Sequence, residues 1–147
     1  MLKLRGLWTL RFLEGDLEWA VDERTGLSVP INPIVLERSY ENMIVTAGKA
    51  HALNRLFGLS GAAALANTGV GTSATAAAVG DTTLTGGVYK AFDSTPTLAS
   101  LTVTSITTFS TSEANINIQE AGLCTASPGV LFSRLALIQP PLRLLLL

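Results

Sequence analysis

The stretch of this 147-residue chain whose spacing comes nearest to a known chemistry is Gly69-Val-Gly71-Thr-Ser-Ala74. It fits the G-x-G-x-x-G/A pattern, in which backbone N–H groups approach a pyrophosphate, and Asp93 follows at roughly the distance of a ribose-binding carboxylate. The pattern carries that chemistry only where it joins a strand to a helix inside a βαβ unit. Here Val79-Gly-Asp-Thr82 intervenes and strand-like sequence follows, so Gly69–Gly80 reads as a loop between strands. No G-x-x-x-x-G-K-[ST] run occurs, and with it goes the phosphate-cradling P-loop.

The other reactive residue types are sparse. His51 is the one histidine, which excludes H-E-x-x-H pairs, and it falls between the apolar and polar sides of a helical stretch. Cys124 is the one cysteine, which excludes an intrachain disulfide and C-x-x-C metal knuckles; beside Gly122 and Leu123 it reads as a small buried hydrophobe. Glu37 and Glu41 lie four apart in a Pro-flanked region. Glu113 and Glu120 end an alternating run at an odd separation, which places them on opposite faces, so neither pair makes a glycosidase-type dyad. Trp8 and Trp19 read as packing partners across a hairpin, with a sugar-stacking platform as the alternative. Catalytic, cofactor-binding and metal-ligating residues are therefore all read as none.

The elements that would carry these residues are mostly strands. Leu2, Leu4, Trp8, Leu10 and Phe12 share one parity, and Lys3, Arg5, Thr9 and Arg11 the other, the period of a half-buried strand. Glu14-Gly-Asp16 supplies turn chemistry, and alternation resumes at Leu17, Trp19 and Val21, so residues 1–22 read as an N-terminal hairpin. Residues 22–41 read as loop, and 42–45 as a short strand. Thr46–Phe57 has helical periodicity, with Ala47, Ala50, Leu53, Leu56 and Phe57 expected to face the core, Thr46 to cap the start and Gly58 to close the end. Val88–Phe92, Leu101–Thr104, Glu113–Gln119 and Val130–Ile138 read as strands, with a bend or bulge at Ala121-Gly122. The expected fold is a single all-β domain over 1–147, a β-sandwich or jelly roll with one short α-helix at about 46–57 and an apolar C-terminal arm at 139–147.

Composition narrows the partners. The chain is 48% hydrophobic and 14% charged with net charge −1, which argues against nucleic-acid binding driven by clustered positive charge. Apolar runs are shorter than a membrane span, and the N-terminus alternates where a signal peptide would be continuously apolar, so synthesis in a reducing cytoplasm is expected. Twelve of the twenty-one charges fall in residues 1–41, leaving nine for the other 106 positions. Charge that sparse points to a surface covered by other subunits, with a Ser/Thr-rich β surface hydrated without charge as the alternative. Pro140 and Pro141 cannot donate to a central ladder, and Leu142, Leu144 and Leu146 in water would be an aggregation hazard, so this arm is expected at an intersubunit contact, with packing back onto its own sandwich as the alternative. Lys3, Arg5 and Arg11 would then form a polar rim or solvent face.

Three stretches carry a resemblance. Glu41-Asn-Met-Ile-Val-Thr-Ala-Gly-Lys49 precedes the Ala/Leu-rich helix; Gly69-Val-Gly-Thr-Ser through Gly80-Asp-Thr-Thr-Leu84 forms a glycine-to-Asp-Thr loop; Glu113–Leu123 ends in Glu-Ala-Gly-Leu before the last strand. In order and spacing, over about 40–138, they resemble small virion structural proteins of tailed bacteriophages. The loop around Pro30 and Pro33 is longer than that pattern, and the end after Pro140 lacks its Thr/Val alternation. The resemblance implies a non-enzymatic particle component located in the virion, a homotrimer touching other virion proteins such as the major capsid protein. Capsid decoration is the first expectation, a tail-fibre or baseplate subunit the alternative, and a carbohydrate-binding head a more distant one.

Overall fold

A run with the parity of Trp8, Leu10 and Phe12 needs a partner strand to satisfy its backbone. In the computed structural model, which describes residues 6–15, 18–59, 61–126 and 129–137, that partner comes from beyond position 33. Strand β1 (Leu7–Leu13) pairs antiparallel with β4 (Ile34–Glu41), setting Trp8 opposite Tyr40 and Phe12 opposite Leu36. The outer face of the same ladder pairs Thr9 with Ser39 and Arg11 with Glu37, the last as an exposed ion pair of 2.6 Å. The expected hairpin of residues 1–22 is thus replaced by a longer ladder, and the expected loop at 22–41 holds the whole of the partner strand. The eight residues of β4 offer a longer ladder than the three of Trp19–Val21 that follow the Gly15 turn.

Between β1 and β4 the chain makes an excursion of its own. Strands β2 (Trp19–Val21) and β3 (Ser28–Pro30) pair only with each other in a two-stranded sheet. Asn32 stitches the base of this arm, accepting from the Glu18 N–H and donating to the Glu14 carbonyl. At the tip the Asp22 carboxylate accepts from the Arg24 and Thr25 N–H groups, and Gly26 sits at φ 69.

The main sheet has the order β5-β11-β10-β6-β7, with β5 (Met43–Ile44), β6 (Asn67–Gly71), β7 (Val88–Ala91), β10 (Glu120–Cys124) and β11 (Leu131–Ala136). A further hairpin pairs β8 (Thr97–Ala99) with β9 (Thr102–Thr104). The expected loop at Gly69–Gly80 therefore begins with a buried strand, and Ala121-Gly122 is ladder, not bend. Residues 113–119 keep the expected alternation in burial, with Ala114 buried and Asn115 and Asn117 exposed, but form no strand.

Both faces of the main sheet are covered. Val88, Val70, Ala121 and Leu135 stand in register across four strands, and Trp8, Tyr40, Phe109, Ile116 and Ile118 pack on them. On the opposite face Val45, Leu84 and Leu131 form a second cluster against Ala47 and Tyr89. Among the described residues the molecule is mostly β with one short helix.

That helix, α1 (Thr46–Leu56), follows β5 directly. Its end is as expected: Gly58, at φ 65, donates to the Arg55 carbonyl and Leu59 donates to the Asn54 carbonyl, a Schellman closure. Its start is not, because Val45 holds the N-cap position and no side chain caps it. Its orientation also departs from expectation. Gly48 and His51 are the buried positions, while Leu53, Leu56 and Phe57 are 56%, 72% and 68% exposed. A Cβ on Gly48 would collide with the Phe132 carbonyl, so the helix approaches β11 along its smallest side and turns its apolar stripe outward.

Candidate functional site: a buried charge cluster

Charged residues are costly to bury unless paired, so a charge inside the main sheet marks an organising centre. Glu120 is 0% exposed on the central strand β10, and Arg134 is 4% exposed on β11 beside it. Arg134 Nε donates to Glu120 Oε2 at 2.6 Å. The other carboxylate oxygen accepts from the Thr85 N–H at 2.7 Å and from the Ser73 N–H at 3.2 Å. Arg134 Nη1 donates to Asp81 Oδ2 at 2.7 Å and to the Ala76 carbonyl, and Nη2 donates to the Thr75 carbonyl at 3.0 Å. Asp81 also accepts from the Ala78 N–H at 2.8 Å.

The glycines of the G-x-G run make room for this centre. A Cβ on Gly71 would stand 2.6 Å from Glu120 Oε1, and one on Gly69 would stand 2.7 Å from both Leu84 Cδ1 and Tyr89 Cδ1. Gly69 and Gly122 are register partners, so the sheet has a side-chain-free floor where Leu84 settles. The run thus serves close packing and carboxylate burial, and Asp93 is engaged elsewhere, accepting from the Thr108 N–H and hydroxyl.

Electrostatics favour a locked cluster. The Ala78 N–H, and after it Arg134, hold the Asp81 carboxyl below its usual range despite some desolvation. Burial pulls the Arg134 pKa down, but its bonds to Glu120 and Asp81 outweigh that and the net shift is upward. Every nitrogen of Arg134 and both oxygens of Glu120 already have protein partners. What this arrangement does is clamp segment 72–85 to the sheet. A groove lined by Glu41, Asn42, Met43, Ala76 and Arg134 runs beside it.

The remaining candidates lie apart. His51 is buried on the inward side of α1 with Nε2 lacking a hydrogen-bond partner. Cys124 is buried, desolvation raises its thiol pKa, and its sulfur lies 3.6 Å from the Asn67 carbonyl. Glu113 is not near Glu120 in role: Lys90 bonds its carboxylate at 2.7 Å and, with Ser110, pulls its pKa down to about 2. Glu37 is tied to Arg11. Trp8 packs in the first core cluster, whereas Trp19 is 42% exposed on the arm, so the two do not face each other across one hairpin. Among the described residues no group of three His, Cys, Asp or Glu could hold a metal. Pro140, Pro141, Leu142, Leu144 and Leu146 lie outside the described residues.

Sequence reasoning passed over Arg134. The available signal was a lone cation inside Val130–Ile138, an otherwise apolar and hydroxyl-bearing strand, with Glu120 opening a run of small residues on another. Three separate stretches meet at this cation: Met43 is its register partner, the Thr75 and Ala76 carbonyls and Asp81 hold its guanidinium, and Glu120 neutralises it. The chain matches no known family model, no curated protein and no solved structure.

Proposed function

We propose that this chain is a non-enzymatic structural subunit of a tailed-phage particle, a β-sandwich capsid-decoration protein that assembles as a homotrimer and binds the major capsid protein. One observation carries the reading: α1 directs Leu53, Leu56 and Phe57 outward, continued by Leu59 at 53% exposure. Exposed apolar side chains in a cluster mark contact surfaces, and a subunit repeated many times turns modest contacts into cumulative strength. The charge cluster supports the same reading, since its polar atoms are occupied in holding the fold.

The tail-fibre or baseplate alternative is favoured by the two small hairpins, β2–β3 and β8–β9, whose exposed Val21, Leu98 and Leu101 suit slotting between neighbours. Copy number in native particles separates the two. Hundreds of copies spread over the shell are expected for decoration, and a handful at one vertex would favour the tail. Light scattering of the purified chain gives the first test: a trimer is expected, and a monomer at every concentration would overturn the assembly reading.

A further inference from the structure

We propose that the β2–β3 arm of one copy docks on the outward face of α1 in a second copy, head to tail. This rests on the reading of the chain as an assembly subunit and names the two surfaces that meet. The acceptor face is a stripe at i, i+4, i+7 and i+8: Lys49, Leu53, Leu56 and Phe57, with Leu59 beyond the helix end. The arm offers Trp19 and Val21 from one side of its ladder, at 42% and 64% exposure, with Pro30 opposite Trp19.

Charge selects the arm over the other exposed hairpin. Segment 18–31 carries Glu18, Asp22 and Glu23 against Arg24 alone, whereas the α1 stripe carries Lys49 and residues 46–80 contain no acid. The β8–β9 hairpin is as apolar, with Leu101 wholly exposed, but residues 94–112 carry no charge to meet Lys49. An acidic, apolar arm against a basic, apolar helix face steers approach and fixes register. Because the two surfaces differ, the contact is heterologous, and three copies can close it into a ring.

Disulfide trapping tests the geometry. Val21→Cys with Leu56→Cys in one chain places a thiol on each surface, while native Cys124 is buried and does not compete. Oxidation is expected to give covalent dimers and higher species on a denaturing gel. A cross-linked monomer alone would mean that the arm folds onto its own helix, and would overturn the proposal. Charge exchange is the second test, at exposed positions that leave the core untouched. Lys49→Glu in one chain, and Glu18→Lys with Glu23→Lys in another, are each expected to weaken self-association about tenfold, and an equal mixture to recover it. Assembly unaffected by these changes and untrapped by the thiols would remove this docking while leaving the subunit reading intact. A wild-type chain that never associates would remove both.

Discussion

At the level of single residues, the Glu120–Arg134 pair carries the sharpest expectations. Removing one partner of a buried ion pair strands the other in low dielectric, so Arg134→Ala is expected to cost about 3–5 kcal/mol in urea unfolding. A smaller loss in that variant would mean that water reaches Glu120. Gly71→Ala tests the neighbouring space. The added methyl must displace the Glu120 carboxylate or the Thr85 carbonyl, and an overpacking cost of about 1–3 kcal/mol is expected. Asp81 adds a pH dependence. Its pKa is depressed on folding, so its contribution is complete above the unfolded value of 3.8 and is lost as pH falls through the lower folded value. Wild-type protein should therefore lose stability below about pH 4 more steeply than Asp81→Asn, as chemical unfolding at pH 6 and pH 3 would reveal. Of this centre the sequence disclosed the glycine spacing and a carboxylate, Glu120, at the end of an alternating run. It did not disclose their purpose, because the room at Gly71 is defined by a side chain 49 positions away on another strand.

Among the elements, α1 shows where periodicity misleads. Spacing identified the helix and its Gly58 closure correctly, because both depend on local backbone bonds. Which side faces inward depends instead on how close the sheet comes, and the Phe132 carbonyl admits only a glycine. Gly48→Ala should accordingly destabilise the protein although alanine favours helix by about 1 kcal/mol. An increase in melting temperature would mean that the helix sits farther from β11. The β8–β9 turn shows a different tension. Ser100 and Leu101 both have positive φ, at 44 and 65, where glycine or asparagine is preferred. Leu101→Gly relieves one such residue and should stabilise the hairpin by about 1 kcal/mol, measurable by amide hydrogen exchange across Thr97–Thr104. Strand β1 was legible from its alternation, but its partner was not, because no local signal says that a twenty-residue excursion will return the chain to pair at Ile34.

Taken as a whole molecule, the distribution of charge and apolar surface is more informative than any one site. The charge-poor region after residue 41 was visible in the composition and holds the exposed Leu53, Leu56, Phe57, Leu98 and Leu101, while the charged segment before it also exposes Leu7, Trp19, Val21, Ile31, Ile34 and Val35. Composition could not say which of these leucines belong to the core, since Leu84, Leu131 and Leu135 come from the same region and are buried. Partition between the two sets is decided by register across the main sheet, a property of the folded whole. This leads to a test of the stripe itself. Leu53→Gln, Leu56→Gln and Phe57→Gln combined replace exposed apolar side chains with a residue of good helix propensity, and exposed substitutions usually change stability by less than about 0.5 kcal/mol each. The triple variant should fold with a near-native melting transition at high dilution, yet lose self-association in light scattering. Unfolding would instead place the stripe in the core, and undiminished assembly would move the contact to another face.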